Sequence, residues 1–239
     1  MSVPPLRDHA YERVYLLLGA VFIAALVACN LIFQKFFEIT IPLPGGGSYQ
    51  FQQSVGLLAY PVTFLITDVL SEVYGARRAN RVVAVGLVAS LFVVGLVTVA
   101  DAVPSAPFGI GAATFSKVFG LSSVAVFASM TAYLAAQFID IRMFHFWRRL
   151  TGGRHLWLRN NASTFASQFL DTFVVLALLA TFAESSGITW DRVPALFFNG
   201  ILFKWAFALF DTPLFYLAAS ICRARFSEQM AMVHDDGAS

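Results

Sequence analysis

The chain has few charged residues, few cysteines and few histidines, and each shortage narrows its class. Only 13% of its 239 residues are charged and 58% are hydrophobic, whereas soluble domains carry roughly 25% charged residues. The two cysteines, Cys29 and Cys222, suggest neither a disulfide framework nor a metal site. The four histidines lie outside the long apolar segments, and the His-Glu-x-x-His motif of metalloproteases is absent. No cofactor is indicated, and the composition favours a membrane protein.

Long uncharged runs recur along the chain. Residues 82–100 and 118–136 carry no charge over 19 positions each, which is close to the ~20 residues that cross a bilayer as a helix. Backbone inside a bilayer must satisfy its own hydrogen bonds, so we expect helices. The pattern predicts an all-α membrane protein with six transmembrane helices, at residues 14–33, 55–74, 82–101, 118–140, 161–183 and 195–221.

The basic residues predict the orientation of these helices. Twelve arginines lie in the segments that share a side with the N-terminus, against three basic residues in the opposite loops. Positive residues accumulate on the cytoplasmic side, so both termini are expected to be cytoplasmic. We therefore expect an N-terminal tail over 1–13, a transporter-like membrane domain over 14–221 and a C-terminal tail over 222–239. The arginines are divided among four membrane-edge segments, which argues against nucleic-acid binding.

Two outward loops are irregular. The proline and glycine residues at 41–47 break any helix, and the alternation of aromatic and polar residues at 49–53 predicts a short strand or a lid. Residues 102–115 carry two prolines and two glycines and are predicted to be similarly irregular. Each loop either covers a site from outside or is an ordinary solvent-facing connection.

Ionisable side chains lie inside the predicted spans. Asp68, Asp171, Lys204 and Asp211 are flanked by apolar residues, and a charge at the bilayer centre costs about 2.5–3.5 kcal/mol on insertion scales. Lys204 and Asp211 are seven residues apart, about 10.5 Å along a helix. Each is therefore expected to meet a partner from another helix. Intramembrane ionisable groups of this kind indicate a polar central site, and transport is the first function to consider.

Polar residues at helical spacing extend this site over several spans. The candidate substrate-binding residues are Asn30, Thr67, Asp68, Glu72, Gln137, Asp140, Asn161, Thr164, Gln168, Asp171, Lys204 and Asp211. The alternative is that such residues only join helices, through contacts worth roughly 0.6–2 kcal/mol. Glu72 and Asp140 are near the predicted cytoplasmic ends, where they would also be able to pair with Arg77 and Arg142.

The side-chain chemistry indicates the kind of ligand. Carboxylates and amides suit a flat, neutral or weakly cationic heterocycle, whereas a phosphate would need arginines or glycine-rich helix starts inside the membrane. Tyr60, Phe169 and Trp205 are candidates for stacking on such a ring.

Several motifs resemble one known family. They are the runs 59–75, 137–140 with 144–145, 155–164, 167–172, and 203–204 with 211–213. These stretches resemble the signature of queuosine precursor transporters over nearly the whole chain. The resemblance implies a six-helix inner-membrane protein that imports 7-cyano-7-deazaguanine or 7-aminomethyl-7-deazaguanine for tRNA modification. It also implies a fold similar to the substrate-binding components of energy-coupling-factor importers.

Four functions are open to a chain with this sequence. The first is a transporter that works alone, with proton coupling through Asp68, Asp171 or Asp211 as one option. The second is a substrate-binding subunit that needs an ATPase partner, and a homodimer is a further option. The third is an intramembrane enzyme, disfavoured because no histidine lies in a span and because Lys204 competes for the aspartates. The fourth is a structural or channel protein.

Overall fold

The computed structural model describes residues 9–33, 35–119, 123–182 and 188–235. In this part of the chain the structure consists of long helices, with a small β-hairpin and a one-turn 3-10 helix at Val55–Leu58 between the first and second of them. The helices are α1 (His9–Ile32), α2 (Tyr60–Ala102), α3 (Ala112–Phe119), α4 (Ser123–Leu150), α5 (Leu156–Phe182) and α6 (Val193–Asp235), and the strands are β1 (Phe36–Pro42) and β2 (Ser48–Ser54).

Helix α2 reverses its direction at Gly75. The Tyr11 hydroxyl donates to the carbonyl of Val73 at 2.8 Å, whereas residue 56 packs against the backbone at Cys29. Residues 60–74 therefore run antiparallel to α1. Beyond Gly75, residues later in the helix lie closer to the C-terminal end of α1, since Asn30 donates to Ser90 at 3.4 Å. The segment 76–102 thus runs parallel to α1.

A single glycine makes this reversal. Gly75 has φ 76° and ψ 167°, a backbone conformation that is essentially restricted to glycine. The predicted spans at 55–74 and 82–101 leave a seven-residue connection over 75–81. That length is wrong, because only Gly75 departs from helical geometry. Arg77, Arg78 and Arg81 already belong to the second helical segment, because one residue in this conformation turns the chain without a loop.

Helices α4, α5 and α6 form an antiparallel series. Asp140 on α4 meets Ser167 on α5, and Asp171 on α5 meets Lys204 on α6. Glycines with positive φ at 152 and 153 close the turn between α4 and α5. Helices α4 and α6 run ten and fourteen residues past the predicted span ends at 140 and 221, because a helix continues into water where nothing in the sequence stops it.

The hairpin confirms the strand predicted at 49–53 and adds a sheet to the expected all-α fold. Strands β1 and β2 pair antiparallel, with Phe36 opposite Ser54 and Pro42 opposite Ser48. Gly45, Gly46 and Gly47 turn the chain, all with positive φ. Residues 102–115 are irregular only as far as Gly111, after which α3 begins. Position 118, the predicted start of a span, lies in α3.

Four helical segments are long and apolar enough to cross a membrane within the described ranges: His9–Ile32, Val55–Ala102, Leu156–Thr181 and Val193–Ala231. Their outer faces expose large apolar side chains such as Phe92, Phe198 and Phe210. Inside, aromatic residues cluster where α1, α2 and α6 meet, with the rings of Tyr11 and Tyr74 4.4 Å apart and Phe226 beside them. A fold with apolar side chains outside and polar ones inside suits a lipid surrounding.

Candidate functional site: three polar layers beside helix α5

Buried polar side chains form three layers along α5, at Arg159, Thr164 and Asp171. Each of the three side chains is at least 97% buried. Twelve residues separate the first from the last, about 18 Å at 1.5 Å per residue. We call them the outer layer (around Asp171, next to the hairpin), the middle layer (around Thr164) and the inner layer (around Arg159).

The outer layer contains a buried ion pair. Lys204 Nζ lies 2.5 Å from Asp171 Oδ2 and donates to Thr172 Oγ1 at 3.0 Å. The Tyr60 hydroxyl also donates to Asp171, and the ammonium lies 4.3 Å from the centre of the Tyr60 ring. One cation thus neutralises one carboxylate, and an aromatic ring packs on the pair.

A cavity of about 160 Å³ adjoins this ion pair. Two of its lining side chains keep a hydrogen-bonding atom without a partner among the described residues: Asp171 Oδ1, an acceptor, and Gln53 Nε2, a donor. The Gln53 carbonyl accepts from the Ser54 amide at 3.0 Å, which orients its NH₂ group. The remaining walls are mainly apolar and include Leu26, Phe33, Leu57, Val175, Leu176 and Leu179. Apolar walls with a few oriented polar groups are typical of small-molecule sites.

The β-hairpin covers this cavity. Tyr49 on β2 hydrogen-bonds Asn199 on α6, and the rings of Phe51 and Phe203 stack with centroids 6.2 Å apart. At the hairpin base, Ser54 Oγ donates to the carbonyl of Phe33 at 2.5 Å. The hairpin therefore joins the end of α1 to the start of α6 and carries Gln53 into the cavity wall.

The middle layer holds two carboxyl groups. The side chains of Asp68 on α2 and Asp140 on α4 lie within hydrogen-bonding distance of each other. Thr164 donates to Asp68 at 3.4 Å and Ser167 donates to Asp140 at 2.9 Å. A small cavity of about 10 Å³ lies between Asp68, Gln168 and Asp211, which is about the room that one water needs.

The inner layer is rich in arginine. Glu72 Oε2 lies 2.8 Å from Arg159 Nη2, and its other oxygen pairs with Arg223. These three residues line an open cavity of about 410 Å³, and Arg148 lines it too. Burial lowers the pKa of the Arg148 guanidinium, although the negative charge of Glu72 acts to raise it. Two guanidinium groups thus pair with one carboxylate, and a third, that of Arg148, lines the cavity beside them.

The predicted site residues divide among these layers. Asp171 and Lys204 lie in the outer layer, and Asn30 lines the cavity there. Asp68, Asp140, Thr164, Gln168 and Asp211 belong to the middle layer, with the buried Gln137 on α4 one turn from Asp140. The predicted partner for Lys204 from another helix is confirmed as Asp171. Asp211, for which a partner was also predicted, forms no ion pair among the described residues.

Two predicted residues have structural partners. Thr67 donates to backbone carbonyls of its own helix, at Thr63 and Phe64. Asn161 exchanges hydrogen bonds with Thr212 of α6 at 3.1 and 3.3 Å. Both side chains are buried. Asn161 therefore fits the alternative of helix joining, whereas Thr67 is bonded within its own helix.

Other expectations need correction. Glu72 pairs with Arg159 and Arg223 instead of Arg77, and Asp140 is buried beside Asp68 instead of pairing with the exposed Arg142. Of the proposed stacking residues, only Tyr60 lines the cavity of the outer layer. Phe169 is half exposed, and Trp205 packs against Phe165 with centroids 5.0 Å apart. The rotation of each helix about its axis decides which side chains face the cavity, and residue spacing alone does not reveal that rotation.

The sequence reasoning missed Gln53, Ser167, Arg159 and Arg223. The alternation at 49–53 was the available signal for Gln53, since every second residue of a strand faces the same side. The two arginines were counted only as loop charges. Among the described residues, no group of three or more histidine, cysteine, aspartate or glutamate side chains could hold a metal ion.

Comparison with known proteins extends these observations. The chain is similar to three relatives: the "Probable queuosine precursor transporter" of Bacillus subtilis strain 168, the protein of the same name of Haemophilus influenzae Rd, and the "Queuosine precursor transporter" of Escherichia coli K12. The first is 29% identical over 166 residues (69% of this chain and 71% of the relative), and the second is 27% identical over 207 residues (85% of each). The third is 29% identical over 122 residues, 51% of this chain and 52% of the relative. No solved structure matches the chain.

One family model covers most of the chain and the residues of α5 that define the three layers. The model described as "Putative vitamin uptake transporter" matches residues 54–218, a range that includes Tyr60, Asp68, Asp171 and Lys204. Together with the apolar helices, this makes the chain a multi-pass protein of the bacterial inner membrane. The chain belongs to the vitamin uptake transporter family that this model describes.

Proposed function

We propose that this protein imports a queuosine precursor, 7-cyano-7-deazaguanine or 7-aminomethyl-7-deazaguanine, and that the cavity of the outer layer binds it. The single observation that carries the proposal is that one apolar cavity is lined by two residues with an unused hydrogen-bonding atom. These atoms are the acceptor Asp171 Oδ1 and the donor Gln53 Nε2. The relatives named as queuosine precursor transporters support the choice of substrate.

The chemistry of a deazaguanine ring fits these two groups. Its pyrimidine edge carries N–H donors next to a carbonyl acceptor. A carboxylate suits the donors and an amide NH₂ suits the carbonyl. Asp171 is already held by Lys204 and Tyr60, so its second oxygen is oriented before the ligand arrives. An oriented site costs less to fill because fewer side chains lose freedom on binding.

The proposed topology has six crossings with both termini in the cytoplasm. Helix α2 would cross twice, because Gly75 reverses it and because Tyr60–Ala102 is too long for one bilayer. Helix α4 would be the fourth crossing. The hairpin then lies on the outer side and the arginines of the inner layer on the cytoplasmic side, in agreement with the positive-inside rule.

The outer cavity would receive the precursor from outside, and passage inward would require the middle and inner layers to open. The inner layer closes that route through Glu72, Arg159 and Arg223. Transport, and not catalysis, is the proposed role. An ATPase partner, as in energy-coupling-factor importers, is the alternative energy source.

Uptake of labelled 7-cyano-7-deazaguanine tests the proposal, in bacteria that cannot make it and in liposomes that contain only the purified chain. Asp171→Asn keeps the shape and removes the charge, so we expect at least a tenfold loss of uptake. Asp191→Asn is the matched control, because Asp191 is exposed, and it should transport normally. Uptake in cells without uptake in liposomes would indicate a partner. Absence of uptake in both, with well-inserted protein, would refute the proposal.

A further inference from the structure

Asp68 and Asp140 form a carboxyl pair that the substrate cavity does not use. The two side chains lie within hydrogen-bonding distance of each other, and they are 4% and 1% exposed. They come from different helices, α2 and α4, and α5 packs beside both. Neither residue lines the cavity next to Asp171.

No cation neutralises this pair in the described part of the chain. Asp171 has Lys204 and Glu72 has two arginines, whereas neither Asp68 nor Asp140 forms an ion pair there. Helix α5 hydrogen-bonds the pair through hydroxyl groups, of Ser163, Thr164 and Ser167. It also places the neutral amides of Asn160 and Gln168 beside Asp68. Helix α6 adds a further carboxylate, Asp211, whose negative charge disfavours ionisation of Asp68. On α4 itself, Gln137 lies one turn away and is neutral.

A shared proton would allow these two buried carboxyl groups to lie side by side. Two ionised carboxylates are both acceptors only and cannot hydrogen-bond each other, whereas a carboxylic acid donates to a neighbouring carboxylate. Like charges at this distance in a low-dielectric site cannot both persist. Asp68 Oδ1 also has no donor among the described residues, so a proton on the pair would supply one. One proton shared between the two carboxyl groups would remove the charge repulsion and supply the missing donor.

We propose that Asp68 and Asp140 form the binding site of a co-transported proton, so that the protein is a proton–precursor symporter. This inference rests on the proposed function and names its energy source. One proton enters from the side of the hairpin, binds the carboxyl pair, and leaves on the opposite side with one molecule of precursor. When the pair opens to the opposite side, water solvates both carboxylates and the proton leaves. The pair is reprotonated when it opens to the entry side again, so no other reactant is needed.

The position of the pair suits this role. It lies between the outer and inner layers, where the ion pairs Lys204–Asp171 and Arg159–Glu72 separate it from both ends of α5. The small cavity between Asp68, Gln168 and Asp211 has about the room of one water. A water there would connect the pair to Asp211, which is only partly buried and would exchange the proton.

Two measurements on the full chain test the inference. In liposomes that enclose a pH-sensitive dye, addition of 7-cyano-7-deazaguanine to the wild-type protein should acidify the lumen, and an inward proton gradient should raise the initial uptake rate at least threefold. Infrared spectroscopy at neutral pH should show the carbonyl band of a protonated carboxylic acid. Asp68→Asn and Asp140→Asn should each remove that band, and Asp191→Asn, an exposed control, should retain it.

The outcomes separate this inference from the proposed function. Exchange of precursor across the membrane with no acidification and no response to the gradient would overturn proton coupling and leave precursor transport standing. Absence of any exchange would refute precursor transport itself, and with it the symport. Acidification together with a band that survives in both asparagine variants would overturn the assignment to Asp68 and Asp140. If one variant does not fold, the other alone decides the assignment, since each removes half of the pair.

Discussion

Lys204 Nζ lies 2.5 Å from Asp171 Oδ2, and this contact joins α6 to α5 at the wall of the apolar cavity. Both side chains are more than 90% buried. A buried ion pair contributes little net stability, yet loss of one partner leaves an unpaired charge in a low-dielectric site. The pair therefore makes Asp171 an oriented, charged acceptor that the membrane interior can tolerate.

Replacement of the cation should destabilise the fold. Lys204→Ala leaves the carboxylate of Asp171 without its counter-ion, and we expect a cost of about 3–5 kcal/mol. Thermal unfolding in detergent should show the loss, and the double variant with Asp171→Asn should recover part of it. Lys35→Ala is the control, because Lys35 is exposed. A Lys204→Ala protein as stable as the wild type would contradict the importance of this pair.

Adjacent glutamines on β2 provide a matched test of the cavity. Gln53 is buried in the cavity wall, whereas Gln52 is exposed and donates to Glu38 at 2.6 Å. Gln53→Ala removes one hydrogen bond worth about 0.5–1.5 kcal/mol, so the KM for precursor uptake should rise roughly three- to tenfold. Gln52→Ala should leave KM unchanged. Equal effects of the two substitutions would show that the hairpin matters only as a scaffold.

The reversal of α2 depends on one residue. Gly75 occupies a conformation with φ 76° and ψ 167°, so Gly75→Ala should destabilise the protein by about 1–3 kcal/mol. Gly95→Ala is the control, since a methyl group there would meet nothing within 4 Å. The control should be neutral or slightly stabilising because alanine favours the helix. Melting temperatures of the two variants decide the comparison, and equal values would argue against a special backbone at Gly75.

Removal of the inner carboxylate should have a large effect. Arg159 is 1% exposed, and Glu72 is its counter-ion at 2.8 Å. Glu72→Gln should therefore destabilise the fold by about 3–5 kcal/mol, as measured by denaturation in detergent. Glu228→Gln serves as the control because Glu228 is exposed and lies in α6, five residues after Arg223. A stable Glu72→Gln protein would mean that water already solvates Arg159.

The class of protein followed from composition and periodicity. Long uncharged runs require helices in a bilayer. The spans predicted at 14–33, 161–183 and 195–221 overlap α1, α5 and α6, and residue 183 lies outside the described residues. The alternation at 49–53 gave the second strand. Gly75 was read as part of a loop, because a sequence pattern does not reveal that one residue turns the chain.

The sequence by itself determined the apolar class, the polar residues that the spans must bury and the strand of the hairpin, since these depend on side-chain polarity and local spacing. Only the tertiary structure decided the partners. Asp171 met Lys204, Asp68 met Asp140 and Glu72 met Arg159, because helix rotation and packing bring together side chains that are far apart in the chain. The same packing gave Asp171 and Glu72 a cation and left Asp68 and Asp140, among the described residues, without one.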